Sequence, residues 1–85
     1  MLNIEFSNNS KKFLENCDDK LYNRLNEKIK ELALDPYPKD RKKVEGRKEK
    51  LFRVRVGNYR ILYIVFSDKN TLLISDIDKR DSVYN

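Results

Sequence analysis

The feature that most constrains the fold is a change in hydrophobic periodicity between the two halves of the chain. In the first half, apolar residues recur at steps of four, four and three, which is the spacing of one face of an α-helix. These residues are Leu21, Leu25, Ile29 and Leu32. In the second half, the stretch FRVRVGNYRILY alternates apolar and polar side chains, as β-strands with one buried face do. The chain therefore predicts helices first and a sheet afterwards.

One strand and two helices are predicted before the change of period. Residues 2–6, LNIEF, alternate apolar and polar side chains, which indicates a short half-buried strand. Ser7 or Asn8 can then cap a first helix that runs to about Cys17. Asp18 is a typical N-cap for the second helix, and the prolines of DPYP end that helix because proline lacks the N–H donor.

A β-hairpin is predicted around the Gly-Asn pair of the alternating stretch, which suits a two-residue turn between antiparallel strands. With this turn, Arg55 lies opposite Arg60, and Arg53 lies opposite Leu62. The hairpin then has one apolar face, which the helices can cover, and one face that carries the three arginines. The apolar face comprises Phe52, Val54, Val56, Tyr59, Ile61, Tyr63 and Val65.

The predicted fold class is α+β, with the two helices packed on one face of an antiparallel sheet. The sheet contains the N-terminal strand and a three-stranded antiparallel meander. A basic connection, residues 37–50, joins the second helix to the meander. The meander strands are residues 52–56, 59–66 and 71–77.

Basic side chains are concentrated in this connection. The chain carries a net charge of +5, and residues 39–50 alone contain seven basic and three acidic side chains. A basic surface attracts polyanions through their phosphates, or an acidic protein partner, and composition does not choose between them. A solvated charged loop is the alternative explanation.

Several classes of protein are excluded by composition. The chain has no histidine and a single cysteine, Cys17, so it has no internal disulfide and no metal centre built from nitrogen and sulfur ligands. Cys17 is better explained as a small buried apolar side chain than as a nucleophile. The longest apolar run, residues 61–66, is too short to span a bilayer, and the N-terminus lacks the pattern of a signal peptide. A cytoplasmic protein without a membrane partner is expected.

The three arginines on one face of the hairpin need an explanation. Like charges placed opposite each other, as Arg55 and Arg60 are, destabilise a hairpin by up to about 1 kcal/mol. A bound phosphodiester would turn this cost into a gain, because guanidinium groups bind phosphate through two parallel hydrogen bonds. An ordinary solvent-exposed sheet face that happens to be basic is the alternative.

The order of elements and two motifs resemble the RelE/ParE toxin superfamily over essentially the whole chain. The first motif is R-x-R-x-G-x-Y-R at residues 53–60, and the second is K-R-x-x-x-Y at residues 79–84. The chain looks most like an archaeal RelE-type member. The resemblance implies one RelE-like domain over residues 1–85, a toxin that a cognate RelB-like antitoxin neutralises, and a hetero-oligomer of the two.

In the RelE branch, as the resemblance implies, the toxin enters the ribosomal A site and cleaves mRNA there without a metal or another cofactor. A ribose 2′-hydroxyl attacks the adjacent phosphate. Matched by motif, Arg53 and Arg55 stand where the best-known members have two lysines that bind the reacting phosphate and assist proton transfer. Arg53 and Arg55 would then supply charge stabilisation and geometry, and Arg60 would stabilise the phosphate. Arg80 would stabilise the leaving group, and Tyr84 would stack on the substrate or take part in proton transfer.

The proton carrier is expected to be Tyr84 or Lys79, because arginine, with a pKa above about 12, is a poor general base. Further basic residues would grip RNA phosphates next to the catalytic set. These expected RNA-binding residues are Lys42, Lys43, Arg47, Lys48, Lys50 and Lys79.

Three alternatives stay open at this point. The ParE branch shares the fold but acts on DNA gyrase, and its members generally lack the full set of arginines and tyrosine. A non-catalytic nucleic-acid-binding module would need only the summed positive charge. A degenerate toxin retained for antitoxin binding would fit the arginines that stand where the best-known members have lysine.

Overall fold

The computed structural model describes residues 1–46 and 50–79. The described residues form two α-helices and a five-stranded sheet with the strand order β1-β5-β4-β3-β2. Along the chain the elements are β1 (Asn3–Phe6), α1 (Asn8–Asn16), α2 (Asp19–Leu34), β2 (Lys42–Lys43), β3 (Leu51–Val56), β4 (Tyr59–Phe66), a 3₁₀ turn (Ser67–Lys69) and β5 (Thr71–Lys79). No helix in these ranges is long and apolar enough to cross a membrane.

The α+β fold is the predicted one, and the meander β3-β4-β5 is antiparallel as expected. Two features of the sheet differ from the prediction. β1 pairs with β5 in parallel; such pairing needs a long connection, which the helices and the other strands supply. A two-residue strand, β2, also forms within the basic connection and pairs with β3. Alternation within a strand shows which face is buried, but it carries no information on strand direction.

Both helices begin at N-caps that the sequence predicts. The Ser7 hydroxyl accepts a hydrogen bond from the Ser10 N–H at 3.1 Å, and the Asp18 carboxylate accepts one from the Leu21 N–H at 2.8 Å. Each bond satisfies an N–H group that the first turn of a helix leaves unpaired. The polar capping residues therefore determine where the helices start.

The core lies between α2 and the sheet. Leu25 and Ile29, from the predicted apolar stripe of α2, are almost completely buried against Ile61 and Tyr63 of β4. The Tyr63 hydroxyl donates a hydrogen bond to the Pro36 carbonyl at 2.7 Å, which ties the sheet to the chain just after α2. Burial raises the pKa of the Tyr63 phenol, so this tyrosine stays neutral in the folded protein.

The strand register divides the sheet into two faces. One face packs against the helices, and we name it the covered face; all seven hairpin residues predicted for the apolar face lie on it. No described helix packs on the other face, which we name the open face. The open face includes Arg53, Arg55, Arg60, Leu62, Ile64, Leu73, Asp76 and Asp78.

Candidate functional site

The hairpin turn brings the three predicted arginines together on the open face. Gly57 has a φ of 60°, in the left-handed region that glycine adopts without strain. The turn pairs Arg55 with Arg60, and Arg53 with Leu62. Both pairs are those that the sequence predicts, because a two-residue turn fixes the register of a hairpin.

A fourth arginine, which the sequence does not single out, lies against the turn. Arg24 of α2 is so close that a Cβ atom at residue 57 would lie 2.7 Å from its Nη2 atom. Glycine is favoured at Gly57 by the backbone conformation, whereas the Arg24 guanidinium, at the end of a flexible side chain, could move to make room for a Cβ atom. Arg24 adds positive charge beside the tip of the hairpin.

The strand β2 adds a lysine to the arginines. Lys42 pairs with Arg53 across the β2-β3 ladder and therefore faces the same side of the sheet. A small cleft of about 60 Å³ has walls that include Asp40, Lys42, Arg53 and Arg55. We name Lys42, Arg53, Arg55 and Arg60 the cationic cluster.

Arg60 is held by an aspartate that the sequence does not single out. The Nε and Nη2 atoms of Arg60 donate hydrogen bonds to the two carboxylate oxygens of Asp78, each at 2.9 Å. Asp78 lies opposite Arg60 on β5, while Arg55 lies opposite it on β3. The carboxylate on one side of Arg60 therefore offsets the repulsion from the guanidinium on the other side.

Asp78 reaches the open face because β5 contains a β-bulge. The residues that pair with Leu62 and Tyr63 are not consecutive, so Ser75 is an extra residue on β5. An extra residue reverses the alternation of the side chains that follow it. The bulge thus buries Ile77 in the core and directs Asp78 to the open face.

The sequence carries a signal of this bulge. Alternation along LLISDIDK breaks at two consecutive polar residues, Ser75 and Asp76, which stand between the buried Ile74 and Ile77. Two polar residues between two buried positions are expected where one residue of a strand is unpaired. Asp76 faces the open side with Asp78. The open face therefore changes from cations on β2 and β3 to carboxylates on β5.

The two lysines of β2 face opposite sides of the sheet. Lys42 belongs to the cationic cluster, whereas Lys43 pairs with Phe52 and faces the covered side of the sheet edge. Both lysine side chains are exposed. Arg47 and Lys48, which were also predicted to bind RNA, lie outside the described residues.

Lys50 lies beside an aromatic cluster at the start of β3. It lines a groove of about 340 Å³ together with Tyr37, Arg41 and Phe52. The Arg41 guanidinium lies 5.3 Å from the centre of the Tyr37 ring and 5.5 Å from that of Phe52, within the range of cation–π attraction. The predicted RNA-binding lysine therefore stands beside a cluster of aromatic rings, in which Tyr37 and Phe52 meet edge to face, and lies away from the turn.

Lys79 lies on the other side of the sheet from the cationic cluster. It pairs with Tyr59 and lines a groove of about 620 Å³ between the helices and the end of β5. The groove wall also includes Phe13 and Cys17, and burial raises the pKa of the Cys17 thiol. The bulge that directs Asp78 to the open face places its neighbour on the covered face. The structure therefore does not bring Lys79 together with Arg60.

Arg80 and Tyr84 lie outside the described residues, so their expected roles stay predictions. Of the residues predicted to be catalytic, the structure groups Arg53, Arg55 and Arg60. All three are donors that stay protonated, so the described part of the site can bind and orient a phosphodiester and stabilise its negative charge.

Solved structures with the same fold include RelE toxins. A chain of the archaeal RelE–RelB complex from Pyrococcus horikoshii OT3 is 26% identical and superposes with a TM-score of 0.81, covering 95% of this chain and 97% of that chain. The isolated E. coli RelE toxin superposes with a TM-score of 0.81 at 19% identity, covering 99% of this chain and 92% of that chain. The fold is therefore that of a RelE-like protein.

Sequence comparison gives the family. The chain is 29% identical over 85 residues to "Putative toxin RelE1" of Methanocaldococcus jannaschii, and the match covers 96% of this chain and 93% of the relative. The family described as the ParE toxin of type II toxin-antitoxin system, parDE, matches residues 4–84. The chain belongs to this family of type II toxins, which confirms the RelE/ParE resemblance of its motifs.

Proposed function

We propose that this protein is the toxin of a type II toxin–antitoxin pair and acts in the cytoplasm as a ribosome-dependent mRNA endoribonuclease. The observation that carries the proposal is the cationic cluster, in which three arginines and a lysine share the open face of the sheet. Several guanidinium groups on one face suit a phosphodiester, because each can donate two parallel hydrogen bonds. The likeness to RelE1 and to the archaeal RelE–RelB complex supports the RelE activity.

In the proposed reaction, the cationic cluster holds one phosphodiester of the message. The ribose 2′-oxygen attacks the adjacent phosphorus in line with the 5′-oxygen, so the P–O2′ bond forms and the P–O5′ bond breaks. The 2′-hydroxyl loses its proton and the 5′-oxygen gains one, which leaves a 2′,3′-cyclic phosphate and a 5′-hydroxyl. Arg53, Arg55 and Arg60 stabilise the extra negative charge of the transition state.

The proton transfers are assigned to residues other than the arginines of the hairpin. A guanidinium with a pKa above about 12 stays protonated and does not accept the 2′ proton. The motif assigns proton transfer or base stacking to Tyr84 and stabilisation of the leaving oxygen to Arg80. Lys79 is the second candidate for proton transfer, although the sheet separates it from Arg60. The ribosome contributes by holding the message in a reactive conformation.

A RelB-like antitoxin is the proposed partner, and it forms a hetero-oligomer with the toxin. The solved relative from Pyrococcus horikoshii is a RelE–RelB complex. Because this chain carries a net charge of +5, an acidic segment that wraps it would neutralise the surface that binds RNA. Affinity purification from the native host should recover a small acidic protein; repeated recovery of the toxin alone would contradict the proposed partner.

The proposal is tested by induced expression in a bacterial host, with primer extension on an abundant message to map cuts within codons. We expect cuts in translated regions for the wild type and a loss of roughly 100-fold or more for Arg60→Ala, because the variant loses a donor to the transition state. Tyr84→Phe should lose the cuts as well. Lys30→Ala, an exposed substitution on α2, is the control and should cut like the wild type.

A ParE-type toxin that acts on DNA gyrase is the second candidate, because the family that matches this chain is described as the ParE toxin of the parDE system. The same expression experiment separates the two functions. Growth arrest with an intact message, together with double-strand breaks in DNA, would move the assignment to gyrase. A binding module without catalysis would instead show RNA binding that depends on summed charge and no cuts at all.

A further inference from the structure

We infer that Asp78 is a positioning residue that holds the Arg60 guanidinium in the orientation needed to bind the RNA phosphate. The inference rests on the proposed function of the cationic cluster. It assigns a role to a carboxylate on a surface that binds a polyanion, where a negative charge alone would weaken binding. The geometry, the origin of the contact in the fold and a matched neighbour on the same strand support it.

The contact between the two side chains fixes both the position and the plane of the guanidinium. Two parallel hydrogen bonds of 2.9 Å join Nε and Nη2 of Arg60 to the two oxygens of Asp78. A bidentate pair of this kind constrains orientation more than a single bond does. The side chains are 22% and 36% exposed, so the pair is partly shielded from water. An arginine side chain otherwise has many rotamers to lose when it binds a ligand.

The fold contains a specific device that places this carboxylate. Without the extra residue Ser75, strand alternation would direct Asp78 to the covered face. The Ser7 hydroxyl donates to the Ser75 carbonyl at 2.6 Å, and the buried Ser10 hydroxyl donates to the Ile74 carbonyl at 2.9 Å. The start of α1 therefore holds the bulge in place and, through it, the aspartate that contacts the arginine of the candidate site.

Asp76 provides a natural comparison, because it lies two residues away on the same face of the same strand. The Asp76 carboxylate accepts a hydrogen bond from the Ile77 N–H at 2.9 Å. The Asp78 carboxylate instead accepts two hydrogen bonds, from the Nε and Nη2 atoms along one edge of the Arg60 guanidinium. Removing either carboxylate changes the net charge of the open face by the same amount. A difference between the two substitutions therefore does not come from net charge; it reflects the loss of the Arg60 contact at Asp78 against the loss of the Ile77 N–H contact at Asp76.

The experiment measures binding to a short RNA whose 2′-hydroxyls are methylated, so that cleavage cannot occur. Fluorescence anisotropy at fixed ionic strength would compare the wild type, Asp78→Ala, Asp78→Glu and Asp76→Ala. We expect Asp78→Ala to weaken binding roughly tenfold, the scale of a charge-assisted hydrogen-bond pair. Asp78→Glu should restore much of the affinity, and Asp76→Ala should bind slightly more tightly because a repulsive charge is lost.

A double-mutant cycle with Arg60→Ala separates positioning from a general structural role. We expect Asp78→Ala to have no further effect in the Arg60→Ala background, because its role acts through that arginine. A structural role would instead weaken binding equally in both backgrounds and lower the unfolding temperature in proportion. Thermal unfolding of every variant is the accompanying control.

The inference is overturned if Asp78→Ala binds the RNA as tightly as the wild type or more tightly. It is equally overturned if Asp78→Ala still weakens RNA binding in the Arg60→Ala background. It is also overturned if the wild type does not bind the methylated RNA. A wild type that binds this RNA with the expected dependence on Asp78, yet leaves ribosomal messages uncut, would refute the proposed nuclease and support the positioning role. The two failures are therefore distinguishable.

Discussion

The covered and open faces of the sheet are made by alternate residues of the same strands, and different forces hold them. Ile61 on the covered face is completely buried among apolar side chains, whereas its neighbour Arg60 on the open face donates two hydrogen bonds to the Asp78 carboxylate. The covered face therefore gains its stability from the hydrophobic effect, whereas the open face combines a charged pair at Arg60 with the apolar side chains Leu62, Ile64 and Leu73. Because residues of the two faces alternate along each strand, substitutions at neighbouring positions should have separable effects on folding stability and on the proposed RNA cleavage.

The largest effect is expected on the covered face. Ile61→Ala should lower the free energy of unfolding by about 2–5 kcal/mol, because it removes buried methyl groups and leaves a cavity in the core. Urea unfolding followed by circular dichroism measures the change. Leu62→Ala, the next residue and half-buried on the open face, is the matched control and should cost clearly less. Equal costs would show that the open face is also packed as a core.

The next effect is expected on the open face. Arg55→Ala should reduce cleavage on the ribosome by roughly 100-fold, because the variant loses a guanidinium that donates hydrogen bonds to the reacting phosphate. Its stability should change by less than about 1 kcal/mol and tend to rise, because Arg55 lies opposite Arg60. Primer extension and urea unfolding measure the two quantities. A large loss of stability with intact cleavage would reverse the comparison between the faces.

The smallest effect is a dependence of the stability on alkaline pH, which comes from Tyr63 on the covered face. The folded pKa of Tyr63 lies above the ordinary value of 10.0, so its contribution to stability is complete below pH 10 and is lost as the pH rises further. In that range the phenol ionises in the unfolded chain but not in the folded one, which costs up to about 1.4 kcal/mol per pH unit.

Tyr63→Phe does not ionise, so its stability should fall less steeply above pH 10, although it loses the bond to Pro36 at every pH. Urea unfolding at several alkaline pH values measures the slope. Tyr22→Phe, at a tyrosine that is 41% exposed, is the control and should follow the wild type. Parallel curves for wild type and Tyr63→Phe would contradict the assignment of the slope to this phenol.

The parts of the fold that could be predicted from the sequence depend on local chemistry. The N-caps at Ser7 and Asp18, the stripe of α2 and the hairpin register all follow from residues a few positions apart. The candidate site was predictable as far as that register extends, which covers Arg53, Arg55 and Arg60.

The rest of the site could not be predicted, because it depends on contacts between distant parts of the chain. The parallel pairing of β1 with β5 brings Ser7 beside Ser75, and no local pattern encodes that contact. The bulge in turn decides which side of the sheet Asp78 and Lys79 face. Its one local trace, two adjacent polar residues, is too short to fix a register by itself.

The position of β1 beside β5 also has a consequence for synthesis of the protein. Residues 3–6 leave the ribosome early, but their pairing partners at 71–74 are made only after both helices and the hairpin. Contacts so distant in sequence form late and slow folding. The bulge is held by hydroxyls from the start of α1, so it forms only when β5 is present. The contact between Asp78 and Arg60 forms at the same stage. The contact between Asp78 and Arg60 on the open face therefore forms only after β5 has been made, so a nascent chain lacks it.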